Sequence, residues 1–355
     1  MGENKSWRGI VDYYNKQLPV KDDTNYCSLN EGNTPLLEAN SISKLTGCNI
    51  YLKYEGLNPT GSFKDRGMAM AVTKAVEQNC DTIICASTGN TAASAAAYAA
   101  KYGLRCIVLV PAGHVAMGKL SQAVMYGAKL VEVEENFDIA LNMVREISQQ
   151  YPITLVNSLN PHRISGQKTA AFEICDQLGR APKYVSLPVG NAGNITAYWE
   201  GLREYLDLGK ISSKPKLLGF QAKGASPIVK GETVTSPETV ATAIRIGKPA
   251  SWSSALQACI ETQGQISAVT DEEIIAAYKL LASREGVFVE PASAASVAGI
   301  IKLDKENYFS ENDEIVCVLT GNGLKDPDSA INSMDYQSRT VPADHEAVIK
   351  AIYED

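Results

Sequence analysis

Lys64 lies in the run Asn58-Pro59-Thr60-Gly61-Ser62-Phe63-Lys64-Asp65-Arg66-Gly67, a Gly/Pro turn that leads straight into an Ala-rich, helix-forming stretch. That is a poor setting for a merely solvated charge and a good one for an amine that forms a Schiff base with a carbonyl cofactor. Gly56 and Gly61 have the separation of the glycines in a nucleotide phosphate loop. That motif needs Lys directly after the second Gly, where this chain has Ser62, so the nucleotide reading fails on register. A lone lysine in a turn is otherwise an ordinary surface residue, and the assignment rests on what the rest of the chain supplies.

Three polar segments supply it. Ser87-Thr88-Gly89-Asn90-Thr91 follows an apolar run and opens a helical stretch. Its residue types suit a helix N-cap, but five consecutive small polar residues exceed what one cap needs. They also suit a nest of N–H groups and hydroxyls that receives a carboxylate. Gly190-Asn191-Ala192-Gly193-Asn194 again separates an apolar run from a helix, and its small residues let backbone N–H groups crowd round a phosphate. It is not G-x-G-x-x-G and has no acidic ribose partner at the dinucleotide position, which disfavours a nicotinamide cofactor. Thr320-Gly321-Asn322-Gly323 reads either as a Gly-rich turn closing a strand or as a hydroxyl aimed at a ring atom. The tripeptide Asn194-Ile195-Thr196 has the form of a glycosylation sequon and carries no meaning in a cytosolic chain.

The elements that must position these groups follow from the pattern. Beta-branched runs at 82–86, 105–110, 129–133, 153–156, 184–189 and 315–319 are continuous rather than alternating, as strands buried on both faces are. Helical stretches fall at 90–101, 117–126, 138–150, 166–178 and 195–206 between them. This alternation predicts an α/β protein of mostly parallel twisted sheets flanked by helices. No Pro/Gly/Ser linker separates two halves and no internal repeat appears, so two interleaved domains are expected. Residues 1–50 and 157–355 are assigned to the larger one, with an N-terminal arm and a C-terminal helix, and 51–156 to a smaller mobile one carrying the lysine segment. Val348, Ile349, Ile352 and Tyr353 share one helical face, which predicts that Ala343–Tyr353 docks on the body.

Composition bounds the partners. The chain has 355 residues, 45% hydrophobic and 21% charged, with net charge −7 and pI near 5.2, which argues against nucleic acid or anionic membrane as the main partner. No apolar run approaches the roughly 20 residues that cross a bilayer. The polar start, Met1 to Ser6, is not expected to be a secretory signal, and its Gly2/Ser6 match to a myristoylation pattern is read as chance. Eight cysteines without a Cys-x-x-Cys pair read as small buried hydrophobes in a reducing, cytoplasmic setting. His114, His162 and His345 fit no metal-ligand spacing, and there is no nucleophile elbow.

A Schiff-base lysine, a phosphate cradle, a carboxylate nest and a strand-end hydroxyl are together met by a cofactor with an aldehyde, a phosphate and a ring nitrogen: pyridoxal 5′-phosphate. At this point the chain resembles the tryptophan-synthase-β-like, fold type II pyridoxal enzymes, and within them the threonine synthase family, over roughly residues 20 to 330. Gly32–Leu36, Asn58–Met68, Ser87–Thr91, Gly190–Asn194, Ala243–Trp252, Glu290–Ala295 and Leu319–Pro327 carry the resemblance. Ala243–Trp252 and Gly166-Gln167-Lys168-Thr169 point to the threonine synthase family rather than to its dehydratase relatives; Lys248 stands where many relatives have Asn. The arm before residue 30 lacks the regulatory module of the plant enzymes, so activation by S-adenosylmethionine is not implied.

The resemblance implies that the cofactor sits in the cleft between the domains. It implies Lys64 as Schiff-base lysine and general base, Asn90 at the ring 3′ oxygen, and Gly190, Asn191, Ala192, Gly193 and Asn194 at the cofactor phosphate. Thr320 would face the pyridine nitrogen. Ser87, Thr88 and Asn90 would hold the substrate carboxylate, and Asn157, Ser158 and Arg163 its phosphate. The implied activity is conversion of O-phospho-L-homoserine and water to L-threonine and phosphate by a homodimer. A threonine/serine dehydratase on the same scaffold is the alternative, with a non-catalytic phosphate- or amino-acid-binding protein more distant.

Overall fold

The computed structural model describes residues 6–21, 23–113, 117–135, 137–334 and 338–353. The Gly2 pattern and His114 lie outside them. Among the described residues ten strands form two sheets: β1 (Leu36–Glu38), β2 (Asn49–Tyr54), β3 (Thr82–Ala86), β4 (Arg105–Pro111), β5 (Lys129–Val133), β6 (Thr154–Leu155), β7 (Tyr184–Pro188), β8 (Lys216–Ala222), β9 (Gln265–Val269) and β10 (Glu314–Leu319). The six-stranded sheet has the order β1-β2-β10-β7-β8-β9 and the four-stranded sheet β5-β4-β3-β6. Every neighbouring pair is parallel except β1 with β2.

The continuous hydrophobicity of the strands has a direct cause. In β3, Ile83 and Cys85 face the central core shared by the two sheets, while Ile84 and Ala86 face a second core with Leu109, Ala140 and Val144. In β10, Val316 and Val318 turn to the central core, and Ile315, Cys317 and Leu319 turn to a third. Alternate side chains serve opposite faces, and both faces are covered.

The chain makes β1 and β2 of the larger sheet, leaves to build the smaller one, and returns for β7 to β10. Residues 51–54, assigned from the sequence to the smaller domain, belong to β2, which pairs with β10 of the larger sheet along its whole length.

Two helices hold the lysine turn. The helix Lys64–Glu77 buries Asp65 to Thr73 and Ala75, and it packs against the short helix Pro161–Gln167. The approach is close: a Cβ on Gly166 would stand 2.2 Å from the Arg66 carbonyl oxygen. We expect Gly166→Ala to force the helices apart and lower unfolding stability by about 1–3 kcal/mol. Urea denaturation checks this, and an unchanged midpoint would show that the pair tolerates separation.

Beneath that contact lies a buried ionic cluster. The Arg66 guanidinium meets Glu55 through Nε and Nη2 at 2.6 and 2.7 Å, and Glu173 through Nη1 and Nη2 at 2.6 and 2.7 Å. Lys53 Nζ donates to Glu173 at 2.9 Å and to the Thr34 carbonyl at 2.7 Å. Two cations and two carboxylates balance. Burial pushes Glu173 up, but Arg66 and Lys53 outweigh it and hold its carboxyl at about 2.

The C-terminal helix forms at His345–Tyr353, but the expected docking is not seen. Val348, Ile349, Ile352 and Tyr353 are 42%, 44%, 63% and 82% exposed, so its apolar face has no cover among the described residues. Periodicity alone reported that the face exists, not what meets it.

Candidate active site

The predicted residues converge beyond the carboxyl ends of β3, β6, β7 and β10, where ligands bind in open α/β sheets. The lysine turn is held first. Gly61 takes φ +87°, and the Thr60 N–H and hydroxyl both bond to buried Asp65, at 2.7 and 2.6 Å. Ser94 adds a third bond to Asp65, at 2.6 Å. The turn is then stitched to the end of β10: the Phe63 N–H donates to the Thr320 carbonyl and the Asn322 N–H to the Gly61 carbonyl, each at 2.9 Å. Residues more than 250 positions apart thereby put Lys64 and Thr320 on one ledge.

Lys64 is the first residue of its helix. Among the described residues its Nζ makes no hydrogen bond or ion pair and lies 4.3 Å from the Phe63 ring centre. Burial pushes this amine down to about 7, with the Arg163 charge helping and Glu290 opposing. A lysine that is about half neutral near pH 7 offers a nucleophile and a proton acceptor, which an ordinary lysine does not.

The cradle forms where β7 ends and the helix Gly193–Asp207 begins. Its left-handed residue is Ala192, with φ 64° and ψ 0°, and neither glycine takes that role. Gly190 is required for space instead, since a Cβ there would lie 2.9 Å from Ile244 Cα. Among the described residues no backbone N–H from Gly190 through Ile195 donates a hydrogen bond, and Asn194 Nδ2 is buried without a partner. Buried N–H groups are nearly always paired in folded proteins. A row of orphans at a helix N-terminus fits an anion of phosphate size, so these residues suit the cofactor implied by the sequence.

Ala243–Trp252 covers this loop. The Ala250 N–H donates to Asn191 Oδ1 at 2.8 Å and the Ser251 N–H to the Asn191 carbonyl at 3.2 Å. Asn191 Nδ2 donates to Ser158 Oγ at 2.8 Å, which ties the cradle to the loop after β6.

In that loop Asn157 pairs with the Ala86 backbone, accepting from its N–H at 2.9 Å and donating to its carbonyl at 2.8 Å. This clamps residues 157–163 to the end of β3 and leaves one amide hydrogen uncommitted. Arg163 is 1% exposed; its Nη1 donates to the Val156 carbonyl at 2.6 Å, while Nε and Nη2 have no partner. Burial lowers its guanidinium to about 10, opposed by Cys85 and Asp65. A buried cation with two free donors is short of one anion.

Ser87, Thr88 and Asn90 are half-buried at the end of β3, with Ser87 Oγ accepting from the Gly89 N–H at 3.2 Å. Thr320 is buried, with its hydroxyl 3.0 Å from that of Ser293. Sequence reasoning placed Glu290 in a segment that carries the resemblance but gave it no role. Its carboxylate accepts from Asn90 Nδ2 at 3.0 and 3.3 Å and from the Thr320 hydroxyl at 3.5 Å. Burial raises its pKa, while the Asn90 bond, Lys325 and Lys64 pull it down and Asp326 pushes it up. The available signal was an acidic residue directly before a helix-starting proline in an otherwise apolar run.

Among the described residues no group of three or more His, Cys, Asp or Glu could hold a metal ion, and no helix is long and apolar enough to cross a membrane. The model of the pyridoxal-phosphate dependent enzyme family matches residues 27–321. The chain is 57% identical to threonine synthase of Halalkalibacterium halodurans, covering 98% of both chains. It is 56% identical to that of Mycobacterium tuberculosis, covering 98% of this chain and 97% of the relative. With the threonine synthase of Methanocaldococcus jannaschii it shares 52%, covering 91% and 82%. In fold it is similar to threonine deaminase isoform 2 of Solanum lycopersicum, with TM-score 0.72 and 23% identity over 90% of this chain and 87% of that one.

Proposed function

The chain belongs to the pyridoxal-phosphate-dependent enzymes, among the threonine synthases, and on that premise we propose that it converts O-phospho-L-homoserine and water to L-threonine and phosphate. When bound, pyridoxal phosphate supplies a conjugated electron sink for charge that develops on the substrate carbons. The protein's own groups do the rest. Lys64 would hold the cofactor aldehyde and, with its proton loosely bound, move protons at the substrate carbons. The N–H groups of Gly190 to Asn194 would hold the cofactor phosphate. Asn90 would meet the ring 3′ oxygen and Thr320 the ring nitrogen; a neutral hydroxyl, unlike a carboxylate, would not force that nitrogen into its charged form. Ser87, Thr88 and Asn90 receive the amino-acid carboxylate. Asn157, Ser158 and Arg163 receive the phosphate that leaves.

The observation that carries this reading is Arg163, a buried guanidinium with Nε and Nη2 uncommitted near the reactive amine. The cofactor phosphate has its own cradle, so a second anion site calls for a substrate with a distal phosphate. Deamination of threonine or serine uses none. The test is to supply O-phosphohomoserine to purified protein and measure phosphate and threonine, with ammonia from threonine as control. Brisk ammonia release without phosphate release would hand the site to the dehydratase reading.

The proposal includes a homodimer in the cytoplasm, with the unit that begins after Tyr54 and ends near 156 closing over the cleft. Eight free cysteines are in keeping with a reducing compartment. Light scattering on the purified protein gives the subunit count.

A pH dependence follows from Lys64. Its amine is held at about 7 in the folded protein, below its value in the unfolded chain. Between those two values the unfolded chain binds the extra proton, so this group favours folding of the cofactor-free protein as pH rises, and the benefit is lost as pH falls through about 7. Cofactor uptake should accelerate with pH and level off just above 7, as followed by absorbance in a stopped-flow mixing experiment. A rate still climbing near pH 10, where an ordinary lysine titrates, would contradict the assignment.

A further inference from the structure

Glu290 touches groups from both sides of the cleft, and the proposed reaction leaves it without a task. It is 5% exposed and precedes the helix Pro291–Lys305, yet its side chain makes no capping bond there. Instead both carboxylate oxygens meet Asn90 Nδ2, at 3.0 and 3.3 Å, across from the six-stranded sheet to the first residue of the helix that follows β3. Among the described residues no lysine or arginine forms an ion pair with it. Its backbone is fixed as well: its N–H donates to the Gly321 carbonyl at 3.0 Å, and its carbonyl accepts from the Ser293 N–H at 2.9 Å. A Cβ on Gly321 would lie 2.5 Å from Oε1, so the carboxylate lies flat against that backbone. Burying a carboxylate with only neutral donors is costly, and its one strong contact is Asn90.

We propose that Glu290 is the positioning residue that sets which way the Asn90 amide faces the cofactor. An ionised carboxylate accepts hydrogen bonds and donates none. Asn90 must therefore turn its nitrogen to Glu290, and that nitrogen keeps a second N–H for a ligand. The flipped amide, which would offer an oxygen, is excluded because its oxygen would face the carboxylate. An N–H is what a ring 3′ oxygen requires. The inference rests on the proposed role of Asn90.

The test titrates pyridoxal phosphate into cofactor-free protein and reads its dissociation constant by absorbance and fluorescence, with no turnover involved. Glu290→Gln keeps the shape but brings its own donors, which frees Asn90 to flip. Binding should weaken roughly tenfold, the scale of one hydrogen bond to a charged group. In an Asn90→Ala background the same change should cost nothing further, because there is no amide left to orient. Thermal unfolding of the cofactor-free variant should be unchanged or raised, since a buried charge has gone. Glu290→Asp, whose carboxylate falls one methylene short, gives the same pattern should the glutamine variant not fold: a loss with Asn90 present and none without it. Equal losses in both backgrounds, or no loss in either, overturn the inference while leaving the cofactor reading intact. Wild-type protein that takes up no pyridoxal phosphate overturns both together.

Discussion

Lys64→Ala is expected to abolish turnover of O-phosphohomoserine while leaving a folded protein. Two functions go at once, the covalent hold on the cofactor and the movement of protons at the substrate carbons. Proton transfer by a positioned side chain alone accounts for about 10²–10⁴ in rate, so a loss of at least a thousandfold in kcat is the floor. Folding has no reason to fail. The Lys64 ammonium pays for its burial beside another cation, Arg163, and has no hydrogen bond or ion pair among the described residues to lose. Alanine at a helix start relieves that crowding. Thermal unfolding should therefore hold, while borohydride should no longer trap cofactor on the chain. A variant that turned over substrate near the wild-type rate would remove Lys64 from the mechanism.

The second large effect is on Arg163, and it separates substrates. Arg163→Ala should cost about 2–5 kcal/mol in kcat/KM for O-phosphohomoserine, as expected when one partner of a desolvated charge pair is removed. Its bond to the Val156 carbonyl is lost too, so some loss of stability is expected on any substrate. The discriminating measurement is the ratio. Deamination of threonine or serine, which carry no distal phosphate, should fall far less. Equal losses on all three substrates would make Arg163 a structural residue of the loop after β6.

What could be read from the chain was what is local. The lysine turn, the Gly190–Asn194 cradle and the strands from β3 to β7 and at β10 each declare themselves within a dozen residues. Pairings between distant residues did not. Lys53 sits between Leu52 and Tyr54 and would pass for a solvated charge, yet it is 0% exposed because Glu173, 120 positions on, neutralises it. The role of Glu290 was hidden for the same reason, its partner being 200 positions away. β1 is only three residues long, too short for any period to show. In the cradle, the strained conformation falls on Ala192, which no glycine rule identifies. The C-terminal helix failed in the opposite sense: its stripe was legible, and nothing in the chain said what should cover it.

The order of strands also bears on how the protein is made. β2 emerges from the ribosome early, but its parallel partner β10 is among the last segments synthesised, 265 residues later by the register of Asn49 with Glu314. β3 to β6, by contrast, are contiguous and find all their partners within residues 82–155. The smaller sheet can therefore form on the nascent chain, while β1 and β2 have only each other and the far edge of β2 waits bare, exposed to wrong partners in the interval. We expect chains stalled before residue 314 to protect 82–155 from protease but not 36–54, and full-length release to protect both. Protection of 36–54 on such a stalled chain would show that the β1–β2 pair finds cover without β10.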